Sequence, residues 1–412
     1  MKRFQRYITA ALLVCAAAFF TACSMMEDDR SDCPTGLYVR FVYDYNTQRA
    51  DMFKDHVGYV TLYVFDENGN KVAEKSVANT TATMPLAQYG YTMHFTPEEL
   101  GIKSGSASSN LASRKYRLQA VAMQKDWDAA LSTPGAKYRR TAATDANALT
   151  ITLDHEAATA PNASTSGLHA VSNSAPLDTL WHTLKVMPSE PTYGYNAPAI
   201  AKTSKPYSIY PVEDQMVSVQ EGYATYATVS LIRDTKHLNI TLRQLDNPAD
   251  INADDYEVTI VDRNSTLAAD NSLASDDTLL YTPYAQWTTS YDNDGTQIDG
   301  DIHPATRSTI INRTAHYNLM FNRLMYDADS EKCGKLCIRN KKNGETVALI
   351  NLPSILADGR IAYEMYNYSQ QEYLDREYDY ELDFFLKGDE WQYLDIQIHV
   401  LSWALRKQNV KL

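Results

Sequence analysis

The chain is 412 residues long, carries a net charge of −13, and is 44% apolar. That acidic balance argues against nucleic acid as a partner and against an electrostatic grip on anionic lipid. The apolar share is enough for real cores, and 29 tyrosines suit half-buried strands and partner-facing surfaces.

At the N-terminus, Lys2, Arg3 and Arg6 precede an apolar run over 8–20 that only Thr9 interrupts, and Thr21, Ala22 and Cys23 close it. This is the order of a secretory signal peptide, residues 1–22, and the run is short of the roughly 20 residues a membrane-spanning helix needs. Phe20-Thr21-Ala22-Cys23 resembles a bacterial lipobox, although that pattern prefers Leu where Phe20 stands. The resemblance implies that Cys23 is acylated and becomes the first mature residue. Cys15 is a poorer acceptor, since bulky Val14 precedes it and little apolar chain lies upstream. The competing reading is an ordinary signal peptide that leaves Cys23 as a free thiol. Residues 23–33 form the expected tether, with Glu27, Asp28 and Asp29 too polar to pack. That acidic stretch resembles the signal that sends some Bacteroidetes lipoproteins to the cell surface, and a solvated linker would look the same.

Without residues 1–22, 390 remain, which suggests two or three domains. Leu37, Val39, Phe41 and Tyr43 alternate, as do Val60, Leu62 and Val64, at the period of a half-buried strand. Asp66-Glu67-Asn68-Gly69 then reads as a hairpin turn. Strands follow at 116–123 and 149–153, and small polar residues mark loops at 104–110 and 157–167. Alternation restarts after Tyr223: Leu238, Ile240, Leu242; Tyr256, Val258, Ile260; Ala315, Tyr317, Leu319, Phe321; Tyr378 to Leu386; and Leu394 to Val400. Helix is expected only within 354–373, interrupted by Gly359. Many short strands without long helices predict an all-β chain of two tandem β-sandwich domains, 34–218 and 219–412. The division is placed near Val219 because the alternation resumes soon after it.

No catalytic motif assembles: G-x-S-x-G, a P-loop, H-E-x-x-H and a dinucleotide glycine pattern are all missing, so the chain is read as no enzyme and as needing no cofactor. His155-Glu156 and His182 sit beside strand-like segments, where satisfied structural histidines are the commoner outcome. Asp292-Asn293-Asp294-Gly295, with Asp299 and Asp301, offers carboxylates around a glycine turn as a Ca²⁺ loop would. The EF-hand spacing fails and no Glu closes the loop, so no metal site is assigned. Asp254-Asp255 and Asp276-Asp277 read as turns. Cys33, Cys333 and Cys337 remain after processing, an odd set; the last two are too far apart on one strand to bridge unless Gly334 turns the chain. Tyr363, Tyr366, Tyr368, Tyr373, Tyr378 and Tyr380 are weighed as a sugar platform against packing at a sandwich edge or interface, and packing is favoured.

Several segments together resemble the FimB-like fimbrial anchor subunits of Bacteroidales. They are Asp32-Cys33-Pro34 with the following strand, Val60-Thr61-Leu62-Tyr63-Val64-Phe65-Asp66, Asp178-Thr179-Leu180-Trp181-His182 and residues 228–242. Tyr256 to Asp262, Tyr281-Thr282-Pro283, residues 371–377, Trp391 and Trp403 complete the set. The resemblance covers nearly the whole mature chain. It implies tandem transthyretin-like domains on a lipid tether at the outer membrane, at the base of a type V fimbria, holding it and limiting its growth. The implied partner is the first stalk subunit, joined by strand addition. Asp375 and Arg376 are implied to fix a turn. Two other readings stand beside this one: a surface glycan-binding lipoprotein, and a tip or stalk subunit. The latter would be cleaved after a basic residue such as Arg40 or Arg49.

Overall fold

The computed structural model describes residues 34–78, 92–102, 113–141, 143–157, 167–189, 216–274, 277–292, 294–295, 297–298, 312–400 and 403–410. The signal peptide, Cys23, the tether, Cys33 and the loop at 104–110 lie outside them. So do most of 157–167, together with Asn293, Asp299 and Asp301.

The chain is all-β, built as sheets packed in sandwiches. The first sheet runs, in spatial order, Lys71–Ala78, Tyr59–Phe65, Ser113–Met123, Leu180–Ser189, Ala224–Arg233, Gly36–Val42 and Thr92–Phe95; Val217–Gln220 pairs with the start of Ser113–Met123. The second runs Gln297–Ile298, Ala285–Tyr291, Asn312–Phe321, Lys236–Gln244, Asp379–Lys387, Glu390–Val400 and Trp403–Val410. A third carries Thr346–Asn351, Lys335–Asn340, Tyr256–Asp262, Thr278–Tyr281, Leu168–Ala170 and Glu156–Ala157. Thr266–Ala268, Thr150–Leu153 and Tyr138–Arg140 make a small fourth sheet.

Each of the two large sheets contains one parallel pair. Gly36–Val42 runs beside Ala224–Arg233, from Gly36 opposite Ala224 to Val42 opposite Ser230. Lys236–Gln244 runs beside Asp379–Lys387, from His237 opposite Asp379 to Gln244 opposite Leu386. A parallel pair cannot close through a tight hairpin, so its partners must be distant in sequence.

Leu37, Val39 and Phe41 point into the first core as their alternation predicts. Tyr59–Phe65 departs from the half-buried reading and is buried on both faces. Val60, Leu62 and Val64 fill the first core, while Tyr63 and Phe65 belong to a larger one that includes Leu238, Ile240 and Tyr281. The two units thus share apolar interior. The turn at 66–69 forms as expected, with Gly69 at φ +83° and Asp66 Oδ1 accepting the Asn68 and Asn70 amides.

The expected changeover near Val219 comes too early for the sheets. Val217–Gln220 and Ala224–Arg233 still pair within the first sheet, and membership changes at Asp234-Thr235. Residues of the earlier half also cross over: Thr150–Leu153 pairs with Thr266–Ala268, and Leu168–Ala170 with Thr278–Tyr281. Strand-pairing partners at long sequence separation leave no local mark, which is why alternation alone misplaces the division.

The helical region divides where Gly359 suggests. Leu352–Ala357 is α-helix, a 3₁₀ stretch covers Asp358–Tyr366, Asn367 turns left-handed at φ +51°, and Gln370–Arg376 is α-helix capped by Ser369. Two short helices, Phe53–His56 and Trp127–Ser132, are too brief for the sequence periodicity to reveal.

Candidate functional site

The most distinctive chemistry lies at the joint where the chain passes between the two large sheets. Arg233, Asp234, Thr235 and Lys236 follow one another there, and all four are buried. Apolar runs on either side anchor them in separate sheets, so the polar tetrad must be satisfied internally.

Asp234 accepts from His182 Nδ1 at 2.6 Å and from Asn271 Nδ2 at 2.8 Å. Thr235 Oγ1 takes the Leu180 amide at 3.0 Å and lies 2.8 Å from the Tyr138 hydroxyl. Lys236 Nζ donates to the carbonyls of Asp375 and Glu377 at 3.0 and 2.8 Å. Burial lowers the Lys236 pKa to about 8, against the opposing pull of Asp375 and Asp234.

The helix Gln370–Arg376 supplies the other wall. Asp375 receives Arg323 through two bonds, Nε to Oδ1 at 2.8 Å and Nη2 to Oδ2 at 2.9 Å, a paired fork geometry. Arg376 is held by Glu372 Oε1 at 3.0 Å, and its guanidinium lies 3.9 Å from the centre of the Tyr45 ring. Arg233 sits 4.0 Å over Tyr378, and Arg49, at φ +54°, sits 4.4 Å over Tyr366. Thr47 donates to Glu377 Oε2 at 3.1 Å; burial pushes the Glu377 carboxyl up and depresses the Arg233 guanidinium. Residues 45, 47, 49 and 233 come from the first sheet and its loops, and 366, 376, 377 and 378 from the second unit. The arrangement is a lock between two bodies, with Asp234, Thr235, Lys236 and Asp375 committed to internal partners.

The other sequence candidates are scattered. His182 is inside this lock, serving Asp234. His155 lies in edge contact with His169, ring centroids 4.8 Å apart, and its Nδ1 is 2.8 Å from the Leu153 carbonyl. Asp292 accepts the Asp294 amide at 3.0 Å in a simple turn, and among the described residues no group of three metal-ligating side chains forms. Asp255 pairs with Lys342 at 2.7 Å, and Asp254 takes Gln286 at 3.0 Å. Cys333 and Cys337 are free thiols, so the turn at Gly334 does not join them. Cys333 Sγ is occupied by the Asp327 amide, and Cys337 stands in mid-strand opposite Leu349.

The tyrosines pack against one another at mixed angles, Tyr366 stacked on Tyr368 at 5.5 Å and the others tilted or edge-on, and Tyr363, Tyr368, Tyr373 and Tyr380 are buried. Tyr363 lies 5.8 Å from Tyr373 and 6.1 Å from Tyr368, and Tyr373 lies 6.4 Å from Tyr380. Arg40 is within the strand Gly36–Val42. Sequence reading passed over Lys236 and Arg323. The available signal was a polar tetrad with three charged members between two strand-like runs, 229–232 and 238–242, which reads as an ordinary linker until its burial is known.

The sequence profile of the fimbrillin-A associated anchor proteins Mfa1 and Mfa2 matches residues 30–409. No curated protein matches the chain. Among solved structures, a candidate adhesin of Bacteroides thetaiotaomicron is 23% identical with a TM-score of 0.58, covering 92% of this chain and 99% of its own. A Bacteroides thetaiotaomicron protein described as a candidate polysaccharide binding protein is 24% identical with a TM-score of 0.57, covering 91% and 99%. A candidate adhesin of Bacteroides ovatus is 20% identical with a TM-score of 0.56, covering 92% and 97%. These likenesses show a shared fold.

Proposed function

Because the chain belongs to the fimbrillin-A associated anchor proteins, and so has a fimbrial role at the cell surface, we propose that it is the base subunit of a fimbria. Acyl chains on Cys23 hold it in the outer membrane, and the unit beyond the joint binds the first stalk subunit by strand addition and limits growth. Two or three acyl chains give a stable anchor where one does not, at ~0.8 kcal/mol per buried methylene.

The observation that carries this reading is directional. The described chain begins at Pro34, and Gly36–Val42 and Ala224–Arg233 run parallel from that end toward the joint. A tether at Cys23 therefore holds one pole of the first sheet, and the second unit stands at the other. Ten residues at ~3.3 Å each put about 33 Å between that pole and the joint. The second sheet ends in Trp403–Val410, an outer strand that among the described residues pairs on one side only, and such an edge suits an added strand. Contacts between the units, with Thr47 on Glu377, Arg376 over Tyr45 and Arg233 over Tyr378, transmit pull from stalk to membrane without relying on a flexible linker.

The test is Cys23→Ala in the native host, with fimbriae followed in cell and medium fractions. Fimbriae shed into the medium, often overlong, are expected. Cell-bound fimbriae left unchanged while the protein itself escapes would overturn the reading and favour soluble-glycan binding, the property named for one structural neighbour.

A further inference from the structure

The pole where the tether begins carries a group of aromatic side chains that the core does not use. Tyr38, on the first strand, stacks on His94 of the neighbouring strand at 4.2 Å between ring centroids, and on Tyr226 of the other neighbour at 5.2 Å. The register places these three side by side across the sheet, Tyr38 opposite both His94 and Tyr226. The turn that leads into Ala224–Arg233 adds Tyr223, which is 55% exposed. Its carbonyl accepts the Gly36 amide at 3.1 Å, so the turn is fastened to the start of the first strand.

Charge at this pole differs from the chain as a whole. The protein is −13 overall, yet here Lys75 pairs with Glu99 at 2.9 Å, and Arg114 and Lys115 stand opposite Val219 and Ser218 on the strand that leads into the Tyr223 turn. Lys75 bridges the His94 carbonyl and Glu99, with its ammonium 4.7 Å over the Phe95 ring. A locally balanced surface is not repelled by phospholipid headgroups as the acidic remainder would be.

The tether sets the distance. Ten residues lie between Cys23 and Pro34, a reach of at most ~40 Å when fully extended. A slack tether lets this pole come down to the bilayer. Tyrosine suits the headgroup level, where its ring meets apolar chains and its hydroxyl meets water.

We propose that Tyr223, Tyr226 and Tyr38 form a lipid-facing contact that seats the first sheet on the outer-membrane surface. The proposal rests on Cys23 being the anchor. The acyl chains supply residence on the membrane; the tyrosines, of which Tyr38 and Tyr226 project from the face of the sheet opposite Leu37 and Val39, supply orientation by setting that face against the bilayer. Without this seat an eleven-residue tether would let the body tumble freely, and the stalk-binding unit would face the membrane as often as the medium.

Tyrosine nitration of the native lipidated chain on phosphatidylethanolamine–phosphatidylglycerol vesicles tests this, read by peptide mass against the soluble Cys23→Ala protein. Flotation of the vesicles first reports whether the protein is anchored. Expected is a severalfold fall in nitration at Tyr223 and Tyr226 on vesicles, with Tyr366, which is 39% exposed beside the joint, unchanged. Flotation with Tyr223 nitrated as fast as in solution overturns the seat and leaves the lipid anchor standing. Failure to float overturns the anchor and the seat together. Equal protection of Tyr223 and Tyr366 means nonspecific adhesion and also overturns the proposal. A Tyr223→Ser, Tyr226→Ser chain should still float while its joint region gains protection from the bilayer, as an unseated body would.

Discussion

Replacing Arg323 by Met tests how firmly the helix Gln370–Arg376, which carries Arg376 to Tyr45 of the first unit, is held within the second. The side chains of Arg323 and Asp375 are 2% and 0% exposed, and two hydrogen bonds join them. At about 4 Å and an effective dielectric near 20, such a pair interacts by roughly 4 kcal/mol. Removing one partner strands the other in the interior, and the expected loss is about 3–5 kcal/mol. Against the 5–15 kcal/mol that typically holds a domain folded, this is a large fraction. Urea unfolding by circular dichroism should show an early transition absent from the native chain. Trypsin and an acid-specific protease should then cut within residues 370–377. The double variant Arg323→Met, Asp375→Leu should recover most of the loss, since an apolar pair leaves no buried charge. A single-variant cost below about 1 kcal/mol, or a double variant no better than the single, would refute a buried pair holding that helix.

Three further perturbations follow from the same structure. Burial raises the Asp262 pKa to about 7, so the folded chain holds a proton that the unfolded chain releases near 4. Its stabilising contribution is complete below pH ~4 and lost as pH climbs through 7; Asp262→Asn should raise stability at pH 8 by up to about 4 kcal/mol and flatten that slope in urea titrations. For Lys236 the shift is downward to about 8, so between pH ~8 and ~10 the unfolded chain binds the extra proton and stability rises with pH. In Lys236→Met that rise should vanish, as differential scanning calorimetry across the window would record. Gly359→Ala would set a methyl 2.8 Å from Tyr373 Cζ and against its hydroxyl, and should cost about 1–3 kcal/mol in thermal unfolding.

Much of the fold was legible because strands that line one core alternate. Leu238, Ile240 and Leu242, and likewise Tyr317, Leu319 and Phe321, are all buried as their period predicts. Tyr59–Phe65 resisted because it separates two cores, so Thr61, Tyr63 and Phe65 are buried as well. The division between units was misplaced because Ala224–Arg233 joins a strand nearly two hundred residues earlier in sequence, and no local pattern reports that. The joint was hidden for another reason: Arg233 to Lys236 look like solvated linker residues, and only their burial among His182, Asn271 and Asp375 changes their meaning. Asp375 and Arg376 were singled out through family resemblance as fixing a turn. Asp375 pins the helix to Arg323, while Arg376 reaches Tyr45 across the joint.

The central claim, that this chain sits at the base of a fimbria, is tested most directly by where it lies on one. Immunogold labelling of native fimbriae on whole cells and after shearing would locate it. The account predicts gold confined to the membrane-proximal end, with label staying on the cell when the shaft is sheared away. Gold spaced along the shaft, or at its free tip, would contradict it.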